Sequence, residues 1–107
     1  MSIDIDTVMS ELDLWVSTLG TGDYMPANTN QTNLGLQILP IFGMQQVRQE
    51  LYDLCKIILD QPWFTSGGTV LEIGLGHHGS SHFLWRQLFK KIVTIKNYFR
   101  TYFVFIR

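Results

Sequence analysis

The sequence predicts an α/β fold in which N-terminal helices precede a β-α-β-α unit with a parallel sheet. An apolar run, Thr69–Ile73, ends in a glycine-rich turn, as expected of a strand that leads into a ligand-binding loop. The following segment, about 80–89, has apolar residues at helical spacing, and a second apolar run, Lys91–Ile95, comes directly after it. A helix between two short apolar strands is typical of a parallel pair joined by a crossover.

The N-terminal segment, residues 4–19, predicts an amphipathic helix. Its apolar positions recur every three or four residues, at Val8, Leu12, Trp15 and Leu19. Asp4 or Asp6 can cap its start and Gly20 can end it. The segment 20–35 that follows is rich in Gly, Asn and Thr and has no apolar period. It is interpreted as a loop, either a solvated linker or a lid that includes Asp23 and Tyr24.

The second predicted helix, residues 44–60, has the most regular apolar pattern in the chain. Its stripe consists of Met44, Val47, Leu51, Leu54, Cys55 and Ile58. Pro40 and Gly43 precede its start, and Pro62 follows its end, where a helix cannot continue. Because Cys55 falls on this stripe, we interpret it as a small apolar core residue and not as a nucleophile.

Three glycines follow the first strand at the spacing G-x-G-x-x-G. Gly74 allows a tight turn, Gly76 allows the backbone to approach a ligand, and Gly79 allows close packing of the next helix on the sheet. Ser80 is expected to be the N-cap of that helix. The free N–H groups of the helix start then face the crevice at the strand ends, where they suit an anion or a polar nucleoside. The pattern predicts a nucleotide-binding turn.

The C-terminal tail, residues 97–107, has two possible structures. Its aromatic and β-branched residues favour a strand, whereas Phe99, Tyr102, Phe103 and Ile106 also fit a helical stripe. The alternation of strand and helix before it favours a helix that begins at Asn97. The exposed aromatic face of such a helix could mediate self-association.

The run from Glu72 to Ser81, EIGLGHHGSS, resembles the first motif of the class I S-adenosylmethionine-dependent methyltransferases, acid-x-Gly-x-Gly with a further glycine. It is closest to the branch with cephalosporin-hydroxylase-like and small-molecule O-methyltransferase-like proteins, in which a Gly-Ser pair follows the turn. The resemblance extends from about Leu36 to Ile95. It implies a Rossmann-like doubly wound parallel sheet that binds S-adenosylmethionine at the carboxyl ends of its strands.

The resemblance also implies which residues bind the cofactor. The glycine turn would lie along its methionine and ribose parts, and the acid would order the turn; these roles fall on Glu72, Gly74, Gly76, Gly79 and Ser80. In the family an acid at the end of the second strand binds the ribose hydroxyls. Lys96 stands there in this chain, and because lysine accepts no hydrogen bond, the neighbouring Asn97 is the expected substitute.

At 107 residues the chain is about half as long as a class I methyltransferase. We therefore expect residues 1–35 to form an N-terminal helix and loop, and residues 36–107 to form the N-terminal part of a Rossmann-like methyltransferase domain. The residues that bind the methyl acceptor would lie beyond position 107, and the sequence assigns no catalytic residue and no acceptor.

Composition excludes several classes of function. The net charge is −1, with eight basic and nine acidic residues, which offers no electrostatic attraction for nucleic acid or for an acidic membrane. No apolar run is long enough to span a membrane, and the acidic N-terminus does not resemble a signal peptide. The single Cys55 cannot form an internal disulfide. The sequence predicts a cytoplasmic protein with a small-molecule cofactor.

The histidines admit two interpretations. His78 and His82 are spaced as on one helix face, but two histidines do not make a zinc site, so no metal is expected. His77 and His78 are instead expected to line the mouth of the crevice. There His78 could touch the cofactor or act as a base near neutral pH, or both could be ordinary loop residues.

Two other functions remain open at this point. The same turn could bind a nicotinamide cofactor, with Lys96 facing the 2′-phosphate of NADP, although Glu72 is unusual for such a turn. Alternatively, the chain is a non-catalytic interaction module that keeps a degenerate nucleotide fold and uses its aromatic tail to bind a partner.

Overall fold

The computed structural model describes residues 3–27, 42–62, 64, 68–73, 78–95 and 102–106, the last range in its backbone only. This part of the chain is a mixed α/β structure with three helices and three strands. The helices are α1 (Ile5–Ser17), α2 (Arg48–Leu59) and α3 (Ser80–Leu88). The strands are β1 (Thr69–Ile73), β2 (Lys91–Ile95) and β3 (Tyr102–Ile106).

Helix α1 begins where the sequence predicted. The carboxylate of Asp4 accepts a hydrogen bond from the backbone N–H of Asp6 at 3.1 Å and so caps the helix. The helix ends at Ser17 with Thr18 as the C-cap, and Gly20 follows with a positive φ of 52°. Its buried residues are Val8, Met9, Leu12 and Val16. The predicted apolar stripe is therefore displaced, because Trp15 is 37% exposed.

Helix α2 starts four residues later than predicted, at Arg48 and not at Met44. Met44 forms a parallel bridge with Tyr24, and its carbonyl accepts the N–H of Met25 at 3.0 Å. The N–H of Gly43 likewise bonds to the carbonyl of Asp23 at 2.9 Å. Because these backbone groups pair with the segment after α1, they cannot form the first turn of a helix.

The sheet has the order β2-β1-β3. Strands β1 and β2 are parallel, with Glu72 opposite Thr94, and α3 joins them, so the predicted β-α-β unit is confirmed. The predicted C-terminal helix is wrong, because Tyr102–Ile106 is a strand that pairs antiparallel with β1. Pairing with β1 satisfies the backbone groups along an otherwise open edge, and the aromatic and β-branched composition suits a strand.

The core lies between the helices and one face of the sheet. It comprises the buried apolar residues of α1, α2 and α3 together with Met44, Val70 of β1 and Phe89. Trp85 and Leu84 of α3 are fully buried. On the other face of the sheet, Val93 and Ile95 are 41% and 52% exposed. The helical cover on both faces that a doubly wound sheet implies is therefore not found within the described ranges. No helix of those ranges is both long and apolar enough to cross a membrane.

Candidate functional site

Glu72 lies on the helix-facing side of β1 and is completely buried. Side chains alternate along a strand, so Glu72 shares its face with Val70, which packs in the core two residues earlier. A buried carboxylate is costly unless hydrogen-bond donors surround it. The position therefore requires polar partners from the neighbouring elements.

Three side chains supply these partners. Ser81 Oγ donates to Glu72 Oε2 at 2.7 Å, and Thr94 Oγ1 donates to Oε1 at 3.5 Å. Nδ1 of His82 lies 3.3 Å from the same Oε1 and 3.3 Å from Thr94 Oγ1. A hydrogen on Nδ1 satisfies both contacts, because an oxygen of an ionised carboxylate accepts hydrogen bonds and cannot donate them. Glu72 thus connects β1 to the first turn of α3 and to β2.

The sequence did not select His82 or Thr94 as site residues. The local pattern indicates His82 only as a possible metal ligand with His78, and Thr94 only as part of a strand. Two signals were present, however. A carboxylate in an apolar strand needs partners, and Thr94 is the polar residue that the parallel register places opposite Glu72.

Gly79 and Ser80 lie at the predicted start of α3, but each has a role different from the one predicted. Gly79, not Ser80, is the N-cap, and it has a φ of 67° in the left-handed region. A Cβ at Gly79 would meet no atom within 4 Å, so the residue is needed for its backbone conformation and not for close packing on the sheet. Ser80 is the first helical residue, and its Oγ donates to the carbonyl of Gly43 and does not cap the helix.

A pocket of about 390 Å³ opens beside α3, between α1 and β2. It is lined by Trp15, His78, Gly79, His82, Phe83, Arg86 and Thr94. The rings of Trp15 and Phe83 stack with their centroids 4.7 Å apart and their planes 3° apart, which forms an aromatic wall. His78 is among the residues that line the pocket. A volume in the range of roughly 300–1,000 Å³ is typical of small-molecule sites.

Several predicted site residues lie outside the described part of the chain. These are Gly74, Gly76 and His77 of the turn, and Lys96 and Asn97 after β2. The predicted site residues within the described part are Glu72, His78, Gly79 and Ser80. Of these, His78 and Gly79 line the pocket, whereas Glu72 and Ser80 are buried and bond to other residues. Within the described ranges, no group of three His, Cys, Asp or Glu side chains is arranged to hold a metal ion.

Two further residues clarify what the site does not include. Cys55 is fully buried in α2, and burial raises the pKa of its thiol to about 12, in agreement with its predicted role as an apolar core residue. Tyr24, considered as part of a lid, donates to Asp13 Oδ1 at 2.7 Å and so connects the segment after α1 to that helix.

The site can therefore hold a small molecule against an aromatic wall, next to an imidazole whose orientation is set by a buried carboxylate. Comparison of the chain with protein-family models, with curated proteins and with solved structures found no match.

Proposed function

We propose that the chain is a methyltransferase-like protein that binds S-adenosylmethionine at the carboxyl ends of β1 and β2. The observation that supports this proposal most directly is the position of Glu72. The acid of the Glu-x-Gly-x-Gly run is buried and bound to Ser81 and His82 in the first turn of α3. These bonds hold β1 and the start of α3, the elements on either side of the turn, together, which supports the role in ordering the turn that the resemblance implies for this acid.

The residues near the helix start fit such a cofactor. Gly79 leaves free space where a Cβ would stand, so a ligand can approach the backbone there. The first turn of α3 offers backbone N–H groups, which suit the polar and anionic groups of the cofactor. Together with the turn that precedes them, His78 and Gly79 would bind the cofactor. When bound, S-adenosylmethionine supplies an electrophilic methyl group on a sulfonium.

Isothermal titration calorimetry with S-adenosylhomocysteine tests the proposal. We expect saturable binding, and no comparable binding of NADH or NADPH. Gly79→Ala should weaken binding about tenfold, which corresponds to about 1.4 kcal/mol. Gly22→Ala is the matched control, because Gly22 also has a positive φ, of 80°, but does not line the pocket. Both substitutions strain the backbone by roughly 1–2 kcal/mol, so a difference in affinity isolates the pocket.

Two results would contradict the proposal. Binding of NADPH without binding of S-adenosylhomocysteine would favour a nicotinamide-dependent enzyme. Equal affinities of the Gly79→Ala and Gly22→Ala variants for S-adenosylhomocysteine would show that the ligand does not bind beside Gly79.

An interaction module is the second candidate, and the exposed sheet face favours it. Val93 and Ile95 present apolar side chains on this face, at 41% and 52% exposure. Exposed apolar surface of this kind is common at protein interfaces. If this face mediates self-association, Val93→Lys should convert a dimer into a monomer in analytical ultracentrifugation. Lys90→Ala changes an exposed residue just before the strand and should leave the dimer intact. A wild-type monomer at high concentration would exclude self-association.

A further inference from the structure

The pocket beside α3 combines an aromatic wall with a permanent positive charge. Trp15 and Phe83 form the wall, and Arg86 lies on the same side of α3, one helical turn beyond His82. Arg86 is exposed and has no ion-pair partner among the described residues. No acidic side chain is among the residues that line the pocket. These properties suit an aromatic ligand with a carboxylate, because guanidinium groups bind planar carboxylates well.

The imidazole of His82 has a fixed orientation in this pocket. Its Nδ1 lies 3.3 Å from both Glu72 Oε1 and Thr94 Oγ1, and its side chain is 34% exposed. With Nδ1 held by the carboxylate, Nε2 is the nitrogen left for a ligand in the pocket. A carboxylate that orients one imidazole nitrogen and leaves the other as an acceptor is the arrangement of a general base.

The charged and titratable groups around His82 come from three elements. Glu72 approaches it from β1, Arg86 lies further along α3, and His78 precedes α3 at the mouth of the pocket. The negative group is behind the imidazole and fully buried, whereas the permanent positive group lines the open side. A ligand carboxylate is thus attracted to Arg86 and kept away from Glu72.

We propose that this pocket binds a small aromatic carboxylate that carries a hydroxyl group, with its carboxylate on Arg86 and its hydroxyl on Nε2 of His82. The ring lies against the wall formed by Trp15 and Phe83. His82 accepts the hydroxyl proton on Nε2 while Nδ1 keeps its own hydrogen toward Glu72, so the ligand oxygen gains the electron pair of the broken O–H bond. Glu72 is a positioning residue, since it does not reach the pocket surface. This ligand occupies the part of the pocket along α3 from His82 to Arg86, whereas the cofactor is proposed at the start of α3, beside His78 and Gly79. The two proposals therefore use different residues and are tested separately.

Nuclear magnetic resonance of the whole chain with 15N-labelled histidine tests this inference, with 4-hydroxybenzoate as the probe. The free protein should show His82 with its hydrogen on Nδ1. Addition of the probe should shift the Nε2 resonance of His82 and the indole resonance of Trp15. Benzoate, which lacks the hydroxyl, should shift Trp15 but leave Nε2 nearly unchanged. 4-Hydroxybenzyl alcohol, which lacks the carboxylate, should bind about tenfold more weakly than 4-hydroxybenzoate.

Substitutions separate the charge of Arg86 from general effects. Arg86→Gln should lower the affinity for 4-hydroxybenzoate about tenfold, and Arg86→Lys should retain most of it. Lys56→Gln, which removes an exposed positive charge from α2, should have no effect and is the matched control. Unchanged backbone spectra verify that each variant is folded. The inference is overturned if the probe does not bind, if Arg86→Gln binds it as well as the wild type does, or if the shifts occur away from the pocket.

Discussion

Ser81 Oγ on α3 donates a 2.7 Å hydrogen bond to Oε2 of Glu72 on β1, and both side chains are buried. The bond joins a strand to the helix that follows it at the point where the proposed ligand site begins. Because the acceptor is a carboxylate in the protein interior, this bond is stronger than one between neutral groups at the surface. The stability of the fold and the geometry of the site therefore depend on the same contact.

Replacement of Ser81 by alanine should destabilise the protein by about 1–3 kcal/mol, because Glu72 loses a donor in a position that water does not reach. Urea denaturation measures this change. Ser17→Ala is the control, since Ser17 also donates at 2.7 Å, to the carbonyl of Leu14, but is exposed. That substitution should cost less than about 0.5 kcal/mol. Equal losses of unfolding free energy in the two variants would show that the buried hydrogen bond contributes no more to stability than the exposed one.

Gly43→Ala should destabilise the protein by about 1–3 kcal/mol. A Cβ at Gly43 would overlap the carbonyl oxygen of Val16 and lie 2.8 Å from that of Leu19. Both are backbone atoms, one in the last turn of α1 and one just after the helix, so neither can move aside without displacing the chain. Gln45→Ala changes an exposed side chain in the same segment and should be nearly neutral in thermal unfolding. A stable Gly43→Ala variant would mean that α1 does not approach this segment so closely.

The stacked pair of Trp15 and Phe83 should contribute a coupling energy of about 0.5–1.5 kcal/mol. A double-mutant cycle with Trp15→Ala and Phe83→Ala measures it from urea denaturation. Leu14→Ala combined with Phe83→Ala serves as the control cycle, because Leu14 lies on the same helix but is 66% exposed. We expect additivity in the control cycle. Additivity in both cycles would show that the rings of Trp15 and Phe83 do not stack on each other.

The ion pair between Asp13 and Arg48 should give a pH-dependent contribution to stability. Arg48 Nε and Nη2 donate to the two carboxylate oxygens of Asp13 at 2.8 and 3.0 Å, and these bonds lower the pKa of Asp13 below its ordinary value of 3.8. A lowered pKa in the folded state stabilises the fold above the ordinary value, and this stabilisation is lost as the pH falls through the folded-state pKa.

Asp13→Asn should therefore destabilise the protein near pH 7 by up to about 1 kcal/mol, because both side chains of the pair are more than 40% exposed and solvent screens their attraction. The difference in unfolding free energy should decrease below the ordinary pKa of Asp13 and in high salt. Asp53→Asn on α2 is the control for an exposed carboxylate without an ion pair among the described residues. A difference between wild type and Asp13→Asn that did not change with pH would contradict the assignment.

The elements that the sequence predicted correctly are those determined by local patterns. The apolar period indicated α1 and most of α2, and short apolar runs separated by a glycine turn indicated β1, α3 and β2. Burial of one helix stripe and hydrogen bonding between near neighbours are both encoded within about ten residues, so a single segment suffices to predict them. The same local pattern singled out Glu72 and Gly79, and their roles as cofactor-binding residues stay predictions.

The tertiary structure decided the features that depend on distant partners. The first turn of the predicted second helix is absent because residues 43 and 44 bond to residues 23 and 25. The tail is a strand because it pairs with a free edge of β1, which lies about thirty residues earlier in the chain. Ser80 bonds to Gly43, and His82 and Thr94 meet at Glu72, only once the helix crosses the sheet. Each of these choices follows from satisfying buried polar groups across the fold, which no local pattern specifies.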